Sequence, residues 1–413
     1  VDNPSHSFVD VGDFYKDRVT FESVTGNARV YVVHGESPRA VAGRWQTLLG
    51  APPMPPLWAF GYQQCRWGYE STAEIRSVAA RLREADIPCD ALYFDIDYMD
   101  GYRVFTVDPR AFGDAQACIM DLRNEGFRAV CIMDPGVKID PEYPVYRELK
   151  KLGTYFRTPE GEDLVGAVWP GKVLYPDFGS EKAAAWWAKT QKEFLGAYPF
   201  DGVWNDMNEP INWDGGPAAT EKAVTERGPW APEWNLYGYY MAKTSARGWR
   251  EHAPERRTLT ISRSGYPGIQ RHAIVWHGDN SSWWEHLRLA VDTAGGFWLC
   301  GALYNGPAVP GWIENAPADL GVRFFQLGAF LPFFRGHSMI FAEYKEPYVY
   351  PEPARTHIRE AIRLRYALLR EWYSGFERCL REKRPTLEPV FDARGALVRD
   401  SFLLLGTFLV RPG

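Results

Sequence analysis

Apolar and polar positions follow two different periods along the central part of the chain. After a proline-rich boundary at 52–56, short apolar runs of strand length alternate with stretches in which apolar residues recur every three or four positions, as on one helix face. Strands that alternate with helices form parallel sheets through right-handed crossovers. We therefore predict an α/β fold for this part of the chain.

Eight apolar runs are candidates for the strands of one sheet. They occupy residues 58–62, 91–94, 128–133, 202–205, 258–262, 273–277, 298–304 and 330–334. One intervening helix begins at a capping box formed by Ser71 and Glu74, and others are predicted near 114–125 and 181–197. Eight strand–helix units predict a (β/α)₈ TIM barrel with insertions, one of which lies near 137–180.

The two ends of the chain carry shorter alternating runs. Near the start, 29–33 is a strand candidate and 38–49 is a helix candidate. Near the end, 401–405 and 407–410 are strand candidates. Both ends are therefore predicted to lie outside the barrel, and the last residues are predicted to open a β-domain.

Composition and charge narrow the class of protein. A chain of 413 residues with 46% hydrophobic and 24% charged residues is long enough for one large barrel with flanking pieces. Its 47 basic residues do not exceed its 52 acidic ones, so a nucleic acid is not expected as a partner. No run of eighteen apolar residues occurs, so no membrane span is predicted.

Cysteine spacing and the chain start add little to this description. The six cysteines form no C-x-x-C pair, and the sequence has no phosphate-binding loop and no histidine metal motif, so we expect no disulfide framework, no metal and no cofactor. The first residues lack a signal-peptide pattern, which favours the cytoplasm, but they read like a cut through a longer protein. Compartment and oligomeric state therefore stay open.

Charged residues concentrate where the predicted strands end. In a TIM barrel, catalytic groups lie at the carboxyl ends of the strands. A single aspartate there is best explained as a loop residue, but a whole set indicates an active site. The set comprises Asp95 and Asp97 after the second strand, Asp134 after the third, Asp206 and Glu209 after the fourth, Arg263 after the fifth, Asp279 after the sixth, and Arg335 and His337 after the eighth.

The residue types in this set point to carboxylate chemistry. Aromatic residues accompany the acids, with Trp204 just before Asp206 and Trp276 just before Asp279. Glycoside hydrolysis needs two carboxyl groups in such a cleft, one ionised and one holding a proton. The 17 tryptophans fit sugar binding, although core packing accounts for most of them. Metal-assisted hydrolases also cluster acids on barrels, so that alternative stays open.

One long motif and several shorter ones resemble a known family. Residues 202–210, with the sequence GVWNDMNEP, resemble the nucleophile signature of glycoside hydrolase family 31. The resemblance runs from about residue 20 to the end of the chain, and further blocks occur in the family's order. These blocks are 94–100 (FDIDYMD), 132–135 (IMDP), 168–171 (VWPG), 175–178 (YPDF), 262–264 (SRS), 276–280 (WHGDN) and 332–337 (PFFRGH).

The resemblance implies a retaining glycoside hydrolase that removes terminal α-linked glucose from oligosaccharides or other α-glucosides by double displacement. By the resemblance, Asp206 is the nucleophile that forms a covalent glycosyl-enzyme, and Asp279 is the general acid/base. Retention places their carboxyl groups about 5–5.5 Å apart. The implied substrate-binding residues are Asp95, Ile96, Asp134, Trp169, Trp204, Met207, Glu209, Arg263, Trp276, Trp312 and His337.

The resemblance also implies a division into three parts. Residues 1–50 would be the tail of an N-terminal β-sandwich with a linker, 51–380 the catalytic barrel, and 381–413 the start of a C-terminal β-domain.

Three positions depart from the family pattern and leave other functions open. His277 stands where the family usually has threonine, Ala308 where it normally has aspartate, and Trp312 where phenylalanine is usual. Subsite shape can therefore differ from that of the family. An α-transglucosylase that uses the same intermediate, or a catalytically altered carbohydrate-binding relative, remains an alternative.

Overall fold

A closed ring of parallel strands forms the centre of the molecule. The computed structural model describes residues 1–392, 394 and 397–411. The barrel strands are, in chain order, Gln63–Gln64, Ala91–Phe94, Arg128–Met133, Gly202–Asn205, Leu259–Ser262, Ile274–Trp276, the pair Asn305–Gly306 and Ala308–Pro310, and Arg335–His337. Except for Arg128 at the start of the third strand, their residues are buried, as expected for a sheet enclosed by helices.

The seventh barrel strand closes the ring in two pieces. Asn305–Gly306 pairs with the sixth strand, and Ala308–Pro310 pairs with the eighth, which in turn pairs with the first. Pro307 alone separates the two pieces, and it has no backbone N–H to donate. The predicted TIM barrel is therefore confirmed.

Helices surround the barrel. The first of them begins at Ser71, whose hydroxyl accepts a hydrogen bond from the backbone N–H of Glu74, and it buries Ile75, Val78 and Leu82 against the sheet. The helices around the barrel are Thr72–Glu84, Ala115–Asn124, Glu181–Ala197, Tyr237–His252, Trp284–Leu299, Ala318–Gly328, Ala354–Ala367 and Leu369–Glu382.

Two insertions rise above the carboxyl ends of the strands. The first, predicted near 137–180, contains the helix Pro144–Leu152 and an antiparallel sheet of Val137–Lys138, Gly166–Val168 and Gly171–Leu174. The second follows the fourth strand and holds the short helix Gly216–Glu221 and the strand pair Val224–Thr225 and Gly228–Pro229.

Three strand predictions were wrong in position. The first strand is not 58–62, which contains most of the 3-10 helix Leu57–Phe60, but Gln63–Gln64. The seventh is not 298–304, because Trp298 and Leu299 finish the helix Trp284–Leu299. The eighth is not 330–334, whose buried phenylalanines lie in the connection before Arg335–His337. In each case the true strand carries polar residues, which an apolar pattern does not detect.

The flanking segments are only partly as predicted. The helix Pro38–Leu49 is confirmed, but 29–33 is not a strand, since only Arg29 forms a bridge, to Asp2, and Val32 is 87% exposed. Ser7–Asp10 and Thr20–Ser23 form an antiparallel pair instead.

At the other end, Leu387–Phe391, Leu397–Leu404 and Phe408–Val410 form an antiparallel sheet that includes most of the two predicted strands. Residues 393, 395, 396, 412 and 413 of the predicted C-terminal unit lie outside the described residues. Across the described part of the chain, none of the helices combines the length and apolar character needed to cross a bilayer.

Candidate active site

A cavity of about 360 Å³ opens at the carboxyl ends of the barrel strands. Most of the predicted site residues line it, namely Asp95, Ile96, Trp169, Trp204, Asp206, Met207, Arg263, Trp276, Asp279, Trp312 and His337. Of the predicted set, Asp134 and Glu209 do not belong to the lining. Five lining residues were not predicted: Trp67, Ile132, Ile211, Trp213 and Met339.

Arg263 is the centre of the charged part of the site. Its Nη1 lies 2.9 Å from Oδ1 of Asp206 and 3.8 Å from Oδ2 of Asp279. Its Nε and Nη2 donate to the two carboxylate oxygens of Glu209 at 3.0 and 2.9 Å, and its Nη2 lies 3.3 Å from Sδ of Met207. One guanidinium therefore faces three carboxylates: it orients Glu209 and Asp206 through close contacts and offsets the mutual repulsion of all three.

The loops after the fourth and fifth strands are joined directly below Arg263. Asn208 donates from Nδ2 to the hydroxyl of Ser262 at 2.9 Å, and its Oδ1 accepts from the backbone N–H of Ser264 at 3.0 Å. These bonds connect the residues on both sides of Arg263 to the loop that carries Asp206. The distance between Arg263 and Asp206 is therefore set by both backbone and side chains.

Asp206 is buried directly after the fourth strand. Burial raises the pKa of its carboxyl above the ordinary aspartate value, and the charges of Asp279 and Glu209 raise it further, whereas Arg263 lowers it. A buried carboxylate stays ionised only when such a cation is close. The contact with Arg263 is therefore what keeps a charge available on Asp206.

Asp279 occupies a more open position after the sixth strand. Its side chain is 41% exposed at the cavity mouth. The protein around it still raises the pKa of its carboxyl through desolvation, with Arg263 and Arg335 opposing the shift and Glu209 supporting it. Within the described residues its carboxylate accepts no hydrogen bond, so its place depends on the loop that carries it. A raised pKa and access to solvent suit a group that holds and exchanges a proton.

A second polar group lies opposite, at the ends of the first, second and eighth strands. Asp95 accepts a hydrogen bond from the backbone N–H of Ile96 at 2.8 Å, and burial raises its pKa to about 7. Burial, aided by the nearby arginines, holds the pKa of His337 well below the ordinary value, so its imidazole is neutral. A neutral imidazole and a carboxyl group can exchange hydrogen bonds with sugar hydroxyls.

Cys65 lies close to the same pair. Its Sγ is 3.5 Å from Oδ2 of Asp95, and ligand atoms of Cys65, Asp95 and His337 all lie within 4.8 Å of one another. In the described part of the chain this is the one set of three side chains placed closely enough to share a metal ion. The sequence predicted no metal ligands and did not single out Cys65.

Asp134 is placed outside the cavity lining. It is buried, neither carboxyl oxygen has a hydrogen-bond partner among the described residues, and the pKa of its carboxyl is raised far above its ordinary value by burial and by Asp206. Burial and the charge of Asp206 therefore both favour the protonated form of Asp134.

Arg335 lies behind two of the tryptophans that line the cavity. This fully buried arginine of the eighth strand lies 4.5 Å from the ring of Trp204, 4.8 Å from Trp276, 5.3 Å from Tyr93 and 5.5 Å from Phe333. Aromatic faces stabilise a cation at these distances. The barrel below the site is therefore a packed interior.

Tryptophans form the walls of the cavity. Trp67 contacts Trp169 edge to face at 4.9 Å and stacks on Trp312 at 5.9 Å, and Trp169 contacts Trp213 at 4.9 Å. Trp312 also stacks on His337 at 4.5 Å. Trp67 was missed because the first strand was predicted too early; it lies three residues after the strand Gln63–Gln64. Trp213 was missed because it lies on an insertion.

Two of the departures from the family pattern lie behind the cavity. The ring of His277 stacks on Phe297 and shares a hydrogen bond of 2.7 Å with Asn305, and burial lowers its pKa to about 4. Its contacts are thus with the barrel wall. Ala308 is buried in the seventh strand, where its carbonyl accepts from Nδ2 of Asn280.

Comparison with known proteins identifies the family to which these features belong. The model of the "Glycosyl hydrolases family 31 TIM-barrel domain" matches residues 52–375. "Alpha-glucosidase 2" of Bacillus thermoamyloliquefaciens is 36% identical over 406 residues, which are 96% of this chain and 51% of that protein. The chain thus spans about half the length of this curated relative.

Two solved structures share the fold. A family 31 alpha-glucosidase from Bacteroides thetaiotaomicron is 35% identical with a TM-score of 0.89, covering 100% of this chain and 68% of that one. A family 31 dextranase from Flavobacterium johnsoniae, complexed with glucose, is 25% identical with a TM-score of 0.92, covering 100% of this chain and 53% of that one.

Proposed function

Because this chain belongs to glycoside hydrolase family 31, we propose that it removes terminal α-linked glucose from oligosaccharides with retention of configuration. The observation that carries the proposal is the arrangement around Arg263, which contacts a buried carboxylate and a solvent-accessible one in the same aromatic cavity. A retaining glycosidase needs these two kinds of carboxyl group. The 5–5.5 Å separation of their oxygens stays a prediction.

In the first step, the ionised Asp206 attacks the anomeric carbon as the bond from that carbon to the leaving oxygen breaks. Asp279 gives its proton to the leaving oxygen, and a glycosyl ester on Asp206 results. In the second step, Asp279 takes a proton from water, the water oxygen attacks the anomeric carbon, and Asp206 is released as a carboxylate. The exposed position of Asp279 supports the second step, because water reaches it.

The remaining polar groups are assigned to the sugar hydroxyls. Asp95, His337 and Arg263 line the cavity with hydrogen-bonding atoms, and Ile96 and Met207 offer it apolar contacts, as do Trp169, Trp204, Trp276 and Trp312. Glu209 orients Arg263 through two hydrogen bonds. Asp134 lies outside the lining, where burial and the charge of Asp206 raise the pKa of its carboxyl.

We also infer the three-part organisation predicted from the sequence. The antiparallel pair near the start and the three-stranded sheet near the end support units at 1–50 and 381–413 that flank a barrel at 51–380. Any contribution of the two flanking units to the activity of the full protein is part of this proposal.

Transglucosylation is a second candidate, favoured by one observation. Trp213 and Phe341 place exposed aromatic rings next to the walls of the cavity, where a sugar acceptor can stack. Product analysis at high maltose separates the two reactions. Glucose as the sole product supports hydrolysis, and longer oligosaccharides support transfer.

The test of the leading proposal uses the full-length protein. We expect it to release p-nitrophenol from the α-D-glucoside and far less from the α-xyloside, α-galactoside and β-glucoside. Nuclear magnetic resonance of the first product should show α-glucose before mutarotation. Release of β-glucose would overturn the double displacement, and loss of activity on exhaustive chelation would favour a metal-dependent hydrolase. Activity on none of the four substrates would favour a carbohydrate-binding protein.

A further inference from the structure

Lys345 is a buried lysine that connects three of the loops around the cavity. It lies beyond the eighth strand and is 4% exposed. Its Nζ donates to the hydroxyl of Ser282 at 2.9 Å and to the backbone carbonyl of Gly311 at 2.8 Å. Neither acceptor carries a charge. Burying an amine with two neutral acceptors gives modest stabilisation at best, so its position calls for another explanation.

The two acceptors belong to the loops that carry Asp279 and Trp312. Ser282 is three residues after Asp279, and Gly311 directly precedes Trp312. The backbone carbonyl of Asn280 accepts from the N–H groups of Trp312 and Ile313 at 2.7 and 3.1 Å. The N–H of Ser282 donates to the carbonyl of Ile313 at 3.0 Å. The sixth and seventh loops therefore form one unit, and Lys345 holds that unit from the side of the eighth loop.

Gly311 allows the loops to approach this closely. A Cβ atom at this position would lie 2.7 Å from both the backbone nitrogen and the hydroxyl oxygen of Ser282, and its φ is +128°. Only glycine adopts this conformation without strain. The close contact brings the carbonyl of Gly311 and the hydroxyl of Ser282 to the same ammonium group.

The loop from which Lys345 reaches out is itself anchored. The guanidinium of the buried Arg66 donates to the hydroxyl of Ser338 at 2.8 Å and to the carbonyls of Ile340 and Ala342 at 3.1 and 2.8 Å. This fixes residues 338–342 to the end of the first strand. Lys345 therefore extends from a fixed loop to the unit that carries Asp279.

The contact does not require a particular protonation state of Lys345. Burial and the positive charge of Arg66 lower the pKa of its amine to about 7, and the negative charge of Glu314 opposes this shift. A neutral amine still has two N–H groups, which match the two acceptors, and the charged form has three. The loops thus stay connected on both sides of neutral pH.

We propose that Lys345 is a positioning residue that holds Asp279 at the leaving-group oxygen of the substrate. The proposal rests on the acid/base role proposed for Asp279. Because the carboxylate of Asp279 accepts no hydrogen bond within the described residues, its location is set by its backbone. Asn280 bonds this backbone to the seventh strand, and Lys345 connects it to the eighth loop. Misplacement of a catalytic group by about 1 Å can cost about 10²-fold in rate.

The test compares two substrates that differ in their need for an acid. Maltose has a poor leaving group that needs the proton of Asp279, whereas p-nitrophenol leaves without it, and kcat/KM reports the glycosylation step in both cases. For Lys345→Met in the full-length protein we expect kcat/KM to fall about 10- to 100-fold for maltose and about threefold or less for p-nitrophenyl α-glucoside. Ser282→Ala removes one acceptor and should give the same selective loss, but a smaller one.

Two further variants make the outcome decisive. Lys150 lies on the insertion helix Pro144–Leu152 and, like Lys345, donates to two oxygens, here those of Tyr155 and Asp163. Lys150→Met is the control and should leave kcat/KM unchanged for both substrates. Asp279→Ala measures the full selective loss; if it shows none, the acid/base role itself fails. If Asp279→Ala is selective but Lys345→Met and Ser282→Ala lower both rates equally or not at all, only the role of Lys345 is overturned. Ser282→Ala keeps this test valid if Lys345→Met does not fold.

Discussion

The loops after the fourth and sixth strands carry the same residue type in opposite environments. The side chain of Asp206 is 11% exposed and lies 2.9 Å from the guanidinium of Arg263, whereas that of Asp279 is 41% exposed and lies 3.8 Å from it. The fourth loop is held by side-chain bonds through Asn208 and Arg263, and the sixth by backbone bonds to the seventh loop and by the side chains of Asn280 and Lys345. One cation at unequal distances thus distinguishes two otherwise identical carboxyl groups.

This difference shows how one residue type can perform two tasks. Burial raises the pKa of both carboxyl groups, but the closer one forms an ion pair with Arg263 that favours its ionised form, which suits attack on carbon. The farther one is more weakly paired and in contact with water, which suits proton exchange. These environments support the roles proposed for Asp206 and Asp279, and substitutions at each position test them.

The largest effect is expected at Asp206. Asp206→Ala removes the attacking carboxylate, and we expect kcat to fall by about 10⁴-fold or more for every substrate, whatever the leaving group. With added azide and an activated α-glucoside, the small anion can enter the vacated space and attack from the same face, which gives β-glucosyl azide. Product analysis by nuclear magnetic resonance checks this. An α-configured azide from this variant would show that Asp206 is not the nucleophile.

A smaller and selective effect is expected at Asp279. Asp279→Ala should lower kcat/KM for maltose by about 10²–10⁴-fold, the range for general acid catalysis, and leave that for p-nitrophenyl α-glucoside much closer to wild type. Azide should then attack the covalent intermediate and give α-glucosyl azide, the opposite configuration to that from the other variant. If both variants gave glucosyl azide of the same configuration, Asp206 and Asp279 would not have the different roles proposed for them.

The smallest effect is expected at Glu209, as a shift of the pH profile. The charge of Glu209 raises the pKa of both Asp206 and Asp279, so Glu209→Gln should lower both. The acid limb then moves to lower pH because Asp206 stays ionised there, and the alkaline limb moves the same way because Asp279 loses its proton earlier. We expect the pH at which kcat/KM is highest to be about half a pH unit to one pH unit lower than in the wild type. An upward shift would contradict the charge arrangement around Arg263.

The fold was predictable where the strands are apolar and less so where they are polar. The second to sixth strands read as buried apolar runs, and their ends carry the acids that the structure brings together. The first, seventh and eighth strands contain Gln63, Asn305 and Arg335, which are buried but polar. An apolar pattern cannot distinguish such strands from loops, because it does not report distant partners. These partners are Tyr93 for Gln63, His277 for Asn305 and Trp204 for Arg335.

The site was predictable to the same extent. Asp206, Arg263 and Asp279 belong to contiguous motifs at strand ends, so their convergence follows from barrel geometry. Trp213 and Met339 reach the cavity from loops whose paths depend on tertiary contacts. No local pattern reports the bonds of Lys345 either, since its acceptors are a hydroxyl and a backbone carbonyl more than thirty residues away.

The packed ring of aromatic side chains around Arg335 has a consequence for how a long glucan is consumed. The packed interior leaves a glucan chain no path through the barrel, and the proposed removal of terminal glucose uses chain ends only. The number of chain ends, and not the mass of polymer, therefore sets the effective substrate concentration for the proposed reaction. A branched glucan then offers more substrate than the same weight of linear glucan, because it has more chain ends. Released glucose must leave the cavity before the next chain end can bind. Accumulated glucose is therefore expected to inhibit the reaction by occupying the cavity.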